Sequence, residues 1–196
     1  MFAAKGPTKD PDSYVQLVLA LAFARIGDTG EAQKLTDTFN RDGPFGTQNY
    51  SLPTIRAAIK LYKSDAAGAV EILRPIVKYD LANPDGFSNL YPPYIRCLAY
   101  LQMGEGREAA AEFQKLLDHP GLVGDEVIRA LSLLQQARAQ KMIGNEAAAR
   151  SSYEDFLSLW KDADSNIPIY KQAKAEYALL RKNLNSAPRA NFVEPR

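Results

Sequence analysis

Four stretches of the sequence carry residue types that can do chemistry. Gly104-Glu-Gly106 has the glycine spacing of a phosphate-binding loop, and Cys97 is a potential nucleophile. His119 is a potential general acid or base, while Asp162 and Asp164 offer a pair of carboxylates. Whether any of them serves in this way depends on the elements that position it.

The glycine string favours a turn between two helices over a nucleotide-binding loop. A phosphate-binding loop follows a strand and opens a helix, whereas the residues before Gly104 have helical spacing. Cys97 lies on that same helix, at a position that a small residue occupies in the other repeats described below. Burial in the core is therefore favoured over a nucleophilic role for this thiol.

The polar candidates favour surface roles. His119 precedes Pro120 in a connector, where a surface or helix-capping role is expected, and Asp162 and Asp164 flank Ala163 in a loop that follows a helix. One cysteine and one histidine leave zinc without its usual ligands. We therefore predict no catalytic residue, metal or cofactor. An enzyme using His119 or the aspartate pair is the least favoured alternative.

Composition indicates a folded chain with a weak overall charge. The 196 residues are 46% hydrophobic and 24% charged, with a formal net charge of +1. Such a small charge disfavours non-specific binding to nucleic acid. The longest apolar run, 15–24, is too short to span a bilayer, and no signal-peptide pattern is present. We expect a soluble chain that contacts neither nucleic acid nor membrane; its compartment is left open.

Helix start and stop signals divide the chain into four hairpins and a last helix. Prolines in first turns, N-cap residues and turn glycines place the repeats at about 11–44, 51–82, 91–121 and 125–161. A capping helix is predicted at 168–184, between a flexible leader at 1–10 and a disordered tail at 185–196. Pro75 is expected to split a helix after Arg74. The predicted N-caps include Ser51, Asp125 and Asn145.

The hairpins share one residue frame around their turns. Gly104 and Gly144 each have a small residue seven positions before and five positions after, and an aromatic residue nine after. Applied to all four repeats, the frame gives turn residues Gly27, Ser64, Gly104 and Gly144. The small positions become Ala20, Ala57, Cys97 and Ala137 on first helices, and Ala32, Ala69, Ala109 and Ala149 on second helices. Such repetition predicts an all-α array of stacked hairpins.

These residues resemble the tetratricopeptide repeat (TPR) family over about residues 11–184. The third and fourth repeats match best, through Tyr100, Phe113 and Tyr153 as well as the small and turn residues. The resemblance implies an α-α superhelix, a TPR solenoid, with the first helix of each hairpin lining a concave face. Ser64 departs from the glycine of the pattern, and the turn spacings of 37, 40 and 40 residues exceed the usual length of about 34.

The stretch from Leu73 to Lys174 is also similar to the C-terminal TPR regions of bacterial receptor-like serine/threonine kinases, and of some winged-helix regulators. That resemblance implies a catalytic or DNA-binding module N-terminal to this chain, and Phe2 and Ala3 directly after Met1 suit a fragment of a longer protein. The chain itself has no kinase motif. We expect a non-catalytic protein-interaction module of a bacterial signalling protein. The alternatives are the TPR region of a transcriptional regulator, a structural spacer or a self-association module.

The resemblance also names a candidate groove. Within the family, residues at fixed offsets before the turn point into the concave face. Here the candidate groove residues are Leu17, Leu21, Arg25, Tyr62, Tyr94, Leu98, Gln102, Arg138 and Lys141. This wall is apolar and aromatic with a basic end, which predicts a protein or peptide ligand with apolar anchors and an acidic flank. The alternative is a groove filled by the chain itself, for instance by its last helix.

Overall fold

Nine α-helices account for most of the described chain. The computed structural model describes residues 11–39, 43–82, 90–120 and 127–186, and those ranges contain helices and no strand. The predicted all-α class is therefore confirmed for this part of the chain. The helices are α1 (Pro11–Ile26), α2 (Thr29–Asp37), α3 (Leu52–Tyr62), α4 (Ala66–Leu73), α5 (Tyr91–Met103), α6 (Gly106–Leu117), α7 (Ile128–Met142), α8 (Glu146–Leu159) and α9 (Pro168–Ser186).

The helices pack as four successive pairs with a ninth helix at the end. Within pairs, α1 contacts α2, α3 contacts α4, α5 contacts α6 and α7 contacts α8. Each second helix also contacts the first helix of the next pair, and α9 packs on α8. The first helices α1, α3, α5 and α7 touch one another in sequence order. Every pair is thus held to its neighbour along both of its helices.

Small residues allow the paired helices to approach closely. All eight positions that the repeat frame predicts to be small, on first and second helices alike, have no exposed surface. The residues four positions further along each second helix are buried as well: Thr36, Leu73, Phe113 and Tyr153. The residue frame is confirmed, because it marks the positions where a large side chain would hold the two helices apart.

The turns between paired helices use left-handed backbone. Gly27, Gly104 and Gly144 have φ values of 98°, 78° and 78°, and Ser64 takes the same place with φ 63°. The next helix is then capped by the following side chain in three of these turns: Asp28 accepts from the Glu31 N–H, Asp65 from the Gly68 N–H and Asn145 from the Ala148 N–H. Asn145 is therefore an N-cap, as predicted.

Ser64→Gly is expected to stabilise the protein by about 0.5–1 kcal/mol. Left-handed backbone disfavours an L-residue by about 1–2 kcal/mol, and the greater freedom of glycine in the unfolded chain offsets part of that gain. Urea denaturation measures the difference. Gly104→Ala is the converse control, with an expected loss of about 1 kcal/mol. A Cβ there would meet nothing within 4 Å, so the loss would come from the left-handed backbone alone. A destabilised Ser64→Gly protein would contradict the strain at this turn.

The start of the second hairpin differs from the prediction. Ser51 is not an N-cap: it has helical backbone, makes no side-chain capping bond and ends a π-helical turn, Thr47–Ser51. In that turn the Leu52 N–H donates to the Thr47 carbonyl, five residues back. Pro53 has no N–H to offer the carbonyl four residues before it. The wider π-helical turn directly before Pro53 fits this proline, which cannot donate the usual backbone hydrogen bond.

Other boundaries follow the predicted signals more closely. α4 ends at Leu73 and a 3-10 segment, Arg74–Tyr79, follows, so Pro75 splits the helix as predicted. α9 continues to Ser186, so residues 185 and 186 are helical and do not belong to a disordered tail. The proposed N-cap Asp125, the leader 1–10 and the tail beyond 186 lie outside the described residues.

Candidate binding surface

The enzyme-like glycine string is a turn between helices. Gly104 ends α5 in a left-handed conformation, and α6 begins two residues later at Gly106. Gly106 is buried, and a Cβ there would lie 2.9 Å from Cγ2 of Ile143 and 3.1 Å from Met142. This glycine is therefore required for close packing against the end of α7.

The remaining chemical candidates belong to different elements: Cys97 to α5, His119 to the segment after α6, and the aspartate pair to the segment after α8. Cys97 is fully buried, and burial raises the pKa of its thiol well above the usual range. His119 is exposed, with Nδ1 2.8 Å from the Lys115 carbonyl oxygen at the end of α6. Asp162 and Asp164 are exposed, and Asp164 accepts a 2.8 Å bond from the Asn166 N–H. The expected core, capping and turn roles are confirmed.

The described ranges contain neither a cluster of metal ligands nor a membrane-spanning helix. No group of three or more histidine, cysteine, aspartate or glutamate residues there could hold a metal ion. None of the helices described is long and apolar enough to cross a bilayer.

Three of the nine predicted groove residues lie in the core, which corrects their assignment to an open wall. Leu17 and Leu21 are each 4% exposed and Tyr94 is 1% exposed. Leu17 and Leu21 share one hydrophobic cluster with Ile55 on α3 and Ile95 on α5. The first helices pack directly against one another, so no partner could contact these side chains.

The first and third hairpins meet across this face. The guanidinium carbon of Arg25, on α1, lies 5.2 Å from the centre of the Tyr94 ring on α5. Burial raises the pKa of the Tyr94 hydroxyl, which therefore stays neutral. Leu98, one turn further along α5, is half-buried. The middle of the predicted wall is closed by these contacts between alternate hairpins.

The last helix occupies the basic end of the predicted groove. Glu176 on α9 accepts from Arg138 Nε at 3.0 Å, from Arg138 Nη2 at 2.8 Å and from the Tyr153 hydroxyl at 2.8 Å. Burial pushes the pKa of Glu176 up, but the bonds from Arg138 and Tyr153 outweigh it and leave the pKa below its usual value. Arg138 is thus bound by the chain itself, and sequence reasoning did not identify Glu176 as its partner.

Glu176→Gln is expected to lose about 1–2 kcal/mol of stability at pH 7, because a charged acceptor is replaced by a neutral one. The lowered pKa of Glu176 means that its contribution is complete above the ordinary glutamate value of 4.5 and disappears as pH falls through the folded-state pKa. Urea denaturation at pH 7 and pH 3 tests this. The difference between wild type and variant should be smaller at pH 3 than at pH 7; a constant difference would show that the charge is not involved.

The exposed members of the predicted set form a turn-side rim. We use this name for the surface made by the last turns of four first helices and containing Arg25, Tyr62, Gln102 and Lys141, all exposed. Met142, a 47% exposed neighbour of Lys141, belongs to the same surface. These positions are the two or three residues before each turn, one hairpin after another.

Contacts between neighbouring hairpins join the first two hairpins of the rim to each other and the last two to each other. The Tyr62 ring covers Gly27, where a Cβ would lie 2.1 Å from the ring, so the end of α3 rests on the turn between α1 and α2. In the same way, Met142 at the end of α7 packs against Gly106 at the turn between α5 and α6. Among the described residues, neither Arg25 nor Lys141 has a carboxylate within 4.0 Å. The rim therefore presents cations together with exposed aromatic, amide and thioether groups.

A buried ion cluster beside the third hairpin has a structural role. Arg96 on α5 donates through Nη1 to Asp80 at 3.3 Å and through Nε to Glu112 on α6 at 3.1 Å, and Nη2 contacts both carboxylates. Burial raises the pKa of Asp80. For Glu112, burial is outweighed by Lys115 and Arg96, and its pKa is lowered. The cluster ties the segment after the 3-10 turn to α5 and α6.

Protein-family models, curated proteins and solved structures were each compared with the chain, and none of them matches it.

Proposed function

We propose that this chain is a non-catalytic protein-interaction module that binds a peptide segment along the turn-side rim. The supporting observation is the rim itself: two cations without a carboxylate partner in the described ranges, an exposed tyrosine and an exposed amide on four successive hairpins. The TPR-like frame supports a superhelical array as its scaffold. The resemblance to the C-terminal regions of bacterial kinases further implies that the module belongs to a larger bacterial signalling protein, such as a serine/threonine kinase.

The order of the rim residues defines the ligand chemistry. Arg25 and Lys141 lie on the first and fourth hairpins, with Tyr62 and Gln102 between them. Neighbouring packed helices are about 8–10 Å apart, so the rim spans at most roughly 24–30 Å. An extended peptide of about seven to nine residues covers that length. We expect acidic residues at its ends, facing the cations, and apolar or aromatic residues in its centre, facing Tyr62.

Peptide selection tests this function without knowledge of the natural partner. A random nine-residue library displayed on phage would be selected against the purified 196-residue chain, and the recovered peptides measured by fluorescence anisotropy. We expect acidic flanks and a micromolar affinity, which corresponds to about 8 kcal/mol. Arg25→Glu and Lys141→Glu should each weaken binding about tenfold or more in low salt, and less in high salt, because the contacts are exposed charge pairs.

Arg129→Glu is the matched control. Arg129 is exposed and lies on α7, the same helix as Lys141, but in its first turn and away from the rim. The same charge reversal there should change the affinity less than twofold. Selected peptides without acidic residues, or equal losses from Lys141→Glu and Arg129→Glu, would contradict binding at the rim.

A further inference from the structure

α1 is apolar on two opposite faces. One face is buried against the array and consists of Leu17, Ala20, Leu21 and Ala24. The opposite face, which we call the outer stripe, consists of Val15, Val18, Leu19, Ala22 and Ile26. The four large residues of the outer stripe are between 42% and 73% exposed. A helix that is apolar all round is normally buried all round, and no part of the chain that the structure describes covers the outer stripe.

The spacing of the outer stripe fits a second α-helix. Val15, Leu19, Ala22 and Ile26 are separated by four, three and four residues, which is the alternation of a and d positions in a two-helix seam. At 100° per residue the whole stripe falls within an arc of about 100°. A continuous narrow seam of this kind receives the side chains of one packed helix.

The charge pattern restricts what that helix can be. α1 carries no charged residue from Ser13 to Ala24, so the stripe offers nothing to a charged partner. A helix lying on a membrane surface has several lysine or arginine residues beside its apolar face, whereas Arg25 is the only basic residue of α1. By contrast, the exposed face of α9 at the other end of the array carries Lys171, Lys174 and Arg181. Of these two terminal helices, α1 has the uncharged exposed face over the residues that the structure describes.

We propose that the outer stripe pairs with the outer stripe of a second copy of this chain, in an antiparallel two-fold dimer. The stripe is complementary to itself: antiparallel pairing places Leu19 against Ala22 of the second copy and Val15 against Ile26, so large residues meet small ones near the axis. It also opposes the two helix dipoles, and a two-fold interface uses the same patch on both copies. The occupant is therefore an identical apolar helix that brings no charge into the seam.

The area of the stripe predicts a weak dimer. Stable dimers bury about 1,200–2,000 Å² in total, and five partly exposed side chains per copy supply roughly half of that. We therefore expect a weak dissociation constant, on the order of tens of micromolar. The dimer would place two turn-side rims in one particle, which increases the affinity for a partner that carries two copies of the peptide.

Analytical ultracentrifugation of the 196-residue chain tests the proposal. Sedimentation equilibrium from about 5 to 500 μM should show the average mass rising from 21.7 kDa towards twice that value. Leu19→Glu should remove the rise by placing a carboxylate in the apolar seam. Leu179→Glu is the matched control, since Leu179 is 58% exposed on α9 and lies outside the stripe; its dimerisation should equal that of wild type. Circular dichroism confirms that both variants keep their helix content.

Each contrary outcome overturns the proposal. A wild-type chain that stays monomeric at 500 μM shows that the stripe does not pair with itself, whether it is covered by another segment of the chain or by another protein. A Leu19→Glu protein that still dimerises places the interface elsewhere. Equal loss in Leu19→Glu and Leu179→Glu points to non-specific association. Lys141→Glu, which is directed at the rim and lies on α7, should dimerise like wild type, so the dimer and the peptide site can be tested separately.

Discussion

Arg96→Met is expected to lower the free energy of unfolding by about 3–5 kcal/mol, the usual effect of removing one partner from a buried ion pair. The Arg96 side chain is 3% exposed, and those of Asp80 and Glu112 are 11% and 14% exposed. Without the guanidinium, two buried carboxylates face each other, and among the described residues Lys115 is the one remaining cation within 4.0 Å of either. Urea denaturation at pH 7 gives the loss directly.

The pH dependence of the Arg96→Met protein identifies the cause. Removing the cation raises the pKa of both carboxyls, and a raised carboxyl pKa destabilises the folded state only while the group is ionised. The deficit relative to wild type should therefore shrink between pH 7 and pH 5. The triple variant Asp80→Leu, Arg96→Met, Glu112→Leu should recover most of the loss. A loss below about 1 kcal/mol for Arg96→Met would show that the cluster is solvated.

Ala149→Leu is the second large effect, with an expected loss of about 1–3 kcal/mol from overpacking. Ala149 on α8 and Ala137 on α7 have no exposed surface and belong to one core cluster with Tyr153 and Phe156. Ala147→Leu is the control, because Ala147 is exposed on the same helix, and it should change stability by less than about 0.5 kcal/mol. Thermal and urea denaturation measure both. Equal stability of the two variants would contradict close approach of α7 and α8.

Features set by local helix geometry were predictable from the sequence. The small positions, the turn glycines, the Asn145 cap and the break at Pro75 each depend on residues within one hairpin. The spacing of these residues in the sequence is therefore enough to predict them. Ser64 shows the limit of such a pattern, because it adopts the left-handed turn that the frame assigns to glycine.

Features set by contacts between hairpins were not predictable in the same way. Leu17, Leu21 and Tyr94 have the offsets of groove residues, but the first helices approach so closely that these side chains are buried. The Arg96 cluster joins residues sixteen positions apart on either side, and its geometry depends on the 3-10 segment after Pro75. Glu176 reaches Arg138 only because α9 packs back on α8.

The outer stripe of α1 did have a sequence signal. The four-three-four spacing from Val15 to Ile26 is visible without a structure. The groove pattern instead points to the opposite face of the same helix, at Leu17 and Leu21. Exposure values distinguish the two faces, and periodicity alone does not.

The most direct test of the binding account is to map a selected peptide onto the protein by NMR. Titration of the best nine-residue peptide into the ¹⁵N-labelled chain should shift backbone amides in the last turns of α1, α3, α5 and α7, around Arg25, Tyr62, Gln102 and Lys141. Amides of α2, α4, α6 and α8 away from the turns should stay in place. Shifts confined to those second helices, or to the outer stripe of α1, would contradict binding at the turn-side rim.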